Sequence, residues 1–179
     1  MKTMEYLKDE LKSIDLLLGM LQNSSEKIEN GKEVPPWILK ENMELLQIFV
    51  DGAYMKREST ILERMEDKGI NVPLKRVFDE HKTLRKYQKF LQEVIEAYDL
   101  GYRGAMEIFP QYCRDYIHFV EKHINLVNET IRKSEDSMKS IDVELLKELE
   151  AIDAKLKRIQ QKGMNRMEIL MKELRKIAA

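Results

Sequence analysis

The sequence predicts an all-α protein: an antiparallel up-down-up-down bundle of four helices, followed by one long additional helix. Three observations carry this. Backbone breakers are scarce, with 7 Gly and 4 Pro in 179 residues, roughly half the usual share. Charged residues (35%) are interleaved with hydrophobic ones (43%), as long two-faced helices require. Apolar residues recur at steps of three and four through five successive segments, and none alternates with a period of two as a half-buried strand would.

The first helix is read from Met4, Leu7, Leu11, Ile14, Leu18 and Leu21, which line one face. The polar stretch 23–33, carrying Gly31, reads as a loop. Pro35-Pro36 suits the start of the second helix, because the first turn has no use for the missing N–H. Its inner series is Leu46, Val50, Tyr54, Glu58, Ile61 and Met65, and Gly69 is placed to cap its end. The third helix follows Pro73 with Val77, His81, Leu84, Gln88, Leu91, Ile95 and Tyr98 inside, and Gly101 and Gly104 break it. The fourth spans about 105–134, with Phe109, Tyr112, Cys113, Tyr116, Val120, His123, Val127 and Ile131 on one side and Pro110 near its start. After a polar stretch, 132–140, a heptad-like series runs Leu145, Leu149, Ile152, Leu156, Ile159, Gly163, Met167, Leu170, Leu174 and Ile177. This last helix is longer than the others. It must overhang the bundle, bend near Gly163, fold back, or pair with a second copy of the chain. The domain reading is therefore a bundle over 1–138 and an amphipathic extension over 139–179.

Composition removes several function classes. Lys and Arg number 31 against 32 Asp and Glu, for a net charge of −1, so no basic excess drives nucleic-acid binding. No apolar run approaches the roughly 20 residues of a membrane span. The opening MKTMEYLKDELK has acids where a signal peptide needs an apolar core. A single cysteine, Cys113, cannot form an internal disulfide, and a reducing cytoplasm is expected. Gly-rich phosphate loops, Gly-x-Ser-x-Gly elbows and Cys pairs for a zinc ribbon are all missing from the sequence.

The candidate chemistry lies in three polar residues at inner positions of three different helices: Glu58, His81 and His123. A buried ionisable group is costly unless it is paired or bound to metal. Two imidazoles and a carboxylate can bind iron, manganese or zinc and leave positions open for water or a small ligand. Tyr54 is one turn before Glu58 on the same face and can join the cluster. Asn128, five residues after His123, is placed as a weak ligand or a supporting partner. The same residues also have plainer readings: satisfied core histidines, and Glu58 paired with Arg57 or Arg85. His118 falls on the flank of its helix, Cys113 and the Met residues read as core filling, and Trp37 reads as a packing anchor.

Four linked segments resemble the hemerythrin-like (HHE cation-binding) domains. IFVDGAYMKRES (48–59) resembles their second-helix signature, roughly F-x-D-x-x-H-H-x-K-E-E. MEDKGINVPLKRVFDEHKTLRKY (65–87) resembles the link into the third helix, with the Glu-His pair at Glu80-His81. YIHFVEKHINLVNE (116–129) resembles the fourth-helix pattern, and LKDELKSIDLLLGML (7–21) resembles the first helix. The likeness covers about 4–152 in order and spacing. It implies a pair of metal ions, usually iron, held inside the bundle by ligands from all four helices. Carried over residue by residue, the first-helix His position is Leu11 and the second-helix His position is Tyr54. Glu58, His81 and His123 survive, Arg85 stands one turn after His81, and the fourth-helix carboxylate position falls at Val127 or Asn128. The losses concentrate on the ion that the first two helices would hold. The resemblance therefore implies a mononuclear iron site, or an empty relic of a di-iron site, and not an intact di-iron centre. The expected partners are a metal ion and a small ligand such as oxygen, with a homo-oligomer through the last helix as a further possibility. A metal-free helical scaffold is the alternative, and no enzymatic reaction is assigned.

Overall fold

The computed structural model of the chain describes residues 2–178, and the side chains of all of these except 2–6, 9 and 178. Met4 of the expected first stripe therefore lies outside the described side chains. Among the described residues the fold is all-helical, and no helix is long and apolar enough to cross a membrane. Helices α1 (Lys2–Glu29), α2 (Pro36–Leu46), α3 (Met55–Asp67), α4 (Leu74–Asp99) and α5 (Ala105–Lys133) are followed by a single turn, α6 (Glu135–Met138), and by α7 (Asp142–Ala178). Residues Gln47–Tyr54 form π-helical turns that join α2 to α3 without a break.

Three helix ends are set by glycine. Gly31, Gly69 and Gly101 have φ of 72°, 75° and 94°, a left-handed conformation that only Gly adopts at little cost. At α3 the Gly69 N–H reaches the Glu66 carbonyl and the Ile70 N–H the Met65 carbonyl, which satisfies carbonyls the helix leaves open. The expected loop over 23–33 is corrected: α1 continues to Glu29. Its last turns are not a free polar surface: Ser24 and Ser25 are buried against the bundle, the Ser24 hydroxyl satisfied by the Met20 carbonyl (3.0 Å), and Gln22 donates to Glu26 on the outside (2.9 Å). The polar stretch 132–140 likewise holds a helical turn, α6, with Met138 buried.

The π-helical turns explain the spacing of the second stripe. Leu46, Val50, Tyr54 and Glu58 are four apart, and on a 3.6-residue helix each such step overshoots a full turn by about 40°. Wider π turns hold more residues and bring the series back into line. All four side chains are buried. On α1 the inward face carries Leu7, Glu10, Ile14, Leu17 and Leu21, with Leu11 only half-buried. Pro110 sits inside α5 and the helix continues past it.

The long helices touch in a ring: α1 packs on α5, α5 on α4, α4 on α2, and α2 on α1. Aromatic pairs support the α4–α5 seam, Tyr87 on Phe119 at 5.9 Å and Phe90 on Tyr112 at 4.2 Å between ring centres. Helix α7 folds back across α1, α2, the π turns and α3, and continues as one α-helix through Gly163. A Cβ at Gly163 would come within 2.9 Å of the Phe49 ring, so the missing side chain lets α7 lie directly on the π turns. Leu145, Leu149, Met167, Leu170 and Leu174 are buried against the same core as the bundle. The middle of the heptad series is corrected: Ile159 is 50% exposed, and the neighbouring Gln160 turns inward to a polar partner. Trp37 is corrected too. It is 48% exposed, because Val34, Ile38 and Leu39 fill the entrance of α2 in its place.

Candidate metal centre

Three neighbouring elements bring the polar inner residues together. Glu58 comes from the first turn of α3, His81 from α4 and His123 from α5, and all three are buried. One ligand atom from each lies within 4.8 Å of the others. A single oxygen, Glu58 Oε1, accepts from both rings, from His81 Nε2 and from His123 Nε2 at 2.9 Å. The two rings stand edge to face with centres 5.0 Å apart.

The other nitrogen of His123, Nδ1, donates to Glu80 Oε2 at 2.8 Å. Glu80 Oε1 accepts from Arg76 Nε at 2.9 Å, one turn earlier on α4. Both nitrogens of His123 thus face carboxylate oxygens, which only accept. Burial by itself would lower the pKa of this ring, but the hydrogen bonds and charges of Glu58 and Glu80 outweigh it and hold it above the usual range. Glu80 is the reverse case: partial burial raises its carboxyl, and His123 and Arg76 together bring it below the usual range.

Among the described residues, two buried side-chain atoms have no hydrogen-bond partner: the Tyr54 hydroxyl and Glu58 Oε2. An unpartnered buried polar atom costs about 1–3 kcal/mol. Tyr54 is fully buried one turn before Glu58, and its pKa is driven well up by burial and by the charges of Glu58 and Glu10. A free carboxylate oxygen, a phenol and two imidazoles form a donor set suited to a divalent transition metal.

Asn128 is half-buried, and among the described residues no hydrogen bond links it to the cluster. Neither arginine offered to Glu58 pairs with it. Arg85 reaches out to Asp51 (2.9 and 3.1 Å). Arg57 turns to a different side of its helix, where Glu10 of α1 and Asp153 of α7 receive it. Adjacent helical residues do not share a face, so Arg57 and Glu58 serve separate clusters. His118 is exposed and Cys113 is buried.

Sequence reasoning missed Glu80 as part of the site. Its position beside His81 was the available signal, but its partner lies on another helix. Comparison with known proteins finds no matching family model, no matching curated protein and no matching solved structure.

The cluster has a pH signature. The raised pKa of His123 supplies stability that is fully present below about pH 6.5 and is lost as pH rises through the folded value. The lowered pKa of Glu80 describes the same contact from its other side; that contribution is present above about pH 4.5 and lost on acidification. Glu10 is raised, chiefly by burial, and adds a further loss as pH climbs through its folded pKa. The metal-free protein is therefore expected to be most stable in mildly acid solution. Urea midpoints should fall between about pH 6 and pH 9. A midpoint that rises over that interval contradicts the assignment.

Proposed function

We propose that the protein is a hemerythrin-like cation-binding helical bundle that holds one divalent metal ion, with iron the first choice, between Glu58, His81 and His123. The observation that carries this reading is the convergence of three buried ligand atoms from three helices within 4.8 Å, with Glu58 Oε2 unpartnered. The ring of contacts among α1, α2, α4 and α5 supports the up-down-up-down arrangement that such a bundle needs. Three protein ligands leave coordination positions open, so the bound ion would supply a site for oxygen, another small ligand or iron sensing. Tyr54 supports the same reading as a neighbouring phenol with no partner of its own; Asn128 stays a supporting candidate on the α5 flank. The lone buried Cys113 suits a cytoplasmic setting.

A second reading has one observation behind it. Glu58 Oε1 already accepts from both imidazoles, so protons can close the cluster and the bundle can serve as a metal-free scaffold. Metal analysis separates the two. Protein purified without chelator and reconstituted with Fe²⁺ is expected to carry close to one ion per chain, and His81→Ala to lose it. A content below about 0.2 ion of iron, manganese or zinc per chain, unchanged on reconstitution, overturns the metal reading and leaves the scaffold.

A further inference from the structure

Glu80 is the one member of the polar cluster that reaches solvent. Its side chain is 16% exposed, against 2% for His123 and 0% for Glu58. With Arg76 it lines a surface groove at the α3–α4 link, shared with Glu66, Pro73, Asp79 and Thr83. Each of its oxygens has one fixed donor, Arg76 Nε at 2.9 Å on Oε1 and His123 Nδ1 at 2.8 Å on Oε2. The carboxylate plane is held at both ends.

A neutral imidazole has one N–H and one lone pair. Without a cation both nitrogens of His123 face carboxylate oxygens; when a cation takes the place of the Nε2 proton, the N–H that remains is the one committed at Nδ1, and the lone pair is on Nε2, the nitrogen beside Glu58 Oε1. A carboxylate behind a ligating imidazole also raises its basicity. His81 has no equivalent support: among the described residues, its one side-chain hydrogen bond is to Glu58.

We propose that Glu80 is a positioning residue for His123, setting the tautomer that presents Nε2 to the cation, with Arg76 holding Glu80 in place. This rests on the metal reading above. It makes His123 the ligand oriented in advance and His81 the one free to adjust.

The full-length wild type, Glu80→Gln, Glu80→Ala and Arg76→Ala are compared in two ways. Two-bond ¹⁵N–¹H correlations of the metal-free protein report which nitrogen of each imidazole carries a proton, and with three His in the chain each ring can be assigned. Competition titration with Zn²⁺ reports affinity. Nδ1 of His123 is expected to stay protonated in the wild type and in Glu80→Gln, which keeps an acceptor oxygen, and to lose that preference in Glu80→Ala. Zn²⁺ affinity should fall about 10–100-fold in Glu80→Ala, with smaller losses in Glu80→Gln and Arg76→Ala. Should Glu80→Ala not fold, the Glu80→Gln and Arg76→Ala affinities decide, and wild-type values in both overturn the inference. An unchanged His123 signature in folded Glu80→Ala overturns it whatever the metal result. A wild type that binds no Zn²⁺ or Fe²⁺ overturns the metal reading, a failure distinct from an unchanged tautomer.

Discussion

Replacing Arg57 with methionine is expected to lower folding stability by about 3–5 kcal/mol, the size seen when one partner of a buried ion pair is removed. The guanidinium is 4% exposed and lies between three helices. Nη1 donates to Glu10 of α1, while Nε and Nη2 donate to Asp153 of α7 at 2.8 and 2.5 Å. Gln160 of α7 closes the network by donating to the other Glu10 oxygen at 2.6 Å. Asp153 is 37% exposed and can turn to water, so its share is small. Glu10 cannot, and Arg57→Met leaves it buried without its cation. Burial already outweighs Arg57 at this carboxyl and keeps its pKa raised, which identifies the pair as expensive to desolvate. The double variant Arg57→Met, Glu10→Met should therefore recover most of the loss, because apolar replacement of a whole buried pair is often neutral or stabilising. Urea denaturation of the four proteins in the cycle measures this. A single variant within about 1 kcal/mol of wild type, the range of a surface pair, contradicts the buried network.

Glu58→Gln is the second large effect. It keeps the shape of the side chain and removes the charge on which both imidazoles converge. Cation affinity is expected to drop by more than the roughly 100-fold that loss of a supporting partner causes. In the wild type, Fe²⁺ or Zn²⁺ at about 100 times its Kd should add roughly 2.7 kcal/mol of stability, a rise in Tm of about 5–10 °C for a chain of this length. In Glu58→Gln the rise should vanish. The exposed His118→Gln variant should keep it in full, which controls for adventitious binding to histidine. The metal-free variant has a further expected property. His123 retains Glu80 as its carboxylate partner but loses Glu58, so the decline of stability with rising pH becomes shallower. A thermal shift of wild-type size in Glu58→Gln contradicts the ligand assignment.

Much of this arrangement could be read along the chain. The inner series of α4 and the glycine caps at Gly69 and Gly101 need only local information. So does the interruption of three greasy stripes by Glu58, His81 and His123, because a charged group at a core position stands out against its own helix. The π-helical turns were hidden, although the unbroken four-residue steps from Leu46 to Glu58 carried their trace. Glu10 was hidden behind Leu11, since either residue fits a helical face and only the neighbouring helices decide which turns in.

Periodicity is a property of one helix, and it determined the all-α class and the three inner polar residues, while prolines and glycines marked where helices begin and end. Pairing across helices depends on how each helix is rotated and slid against its neighbours. That is settled by the packing of whole faces and not by any residue's local spacing. Glu80 and His81 are consecutive and point about 100° apart on an α-helix. Only because α4 lies between α3 and α5 do they meet the same cluster, His81 through Glu58 and Glu80 through His123. The same holds for Arg57 and Glu58, which packing divides between two buried networks. It holds too for α7, whose heptads suited either its own bundle or a second copy of the chain. Tertiary structure lays it on its own bundle, where the missing side chain at Gly163 makes room for Phe49.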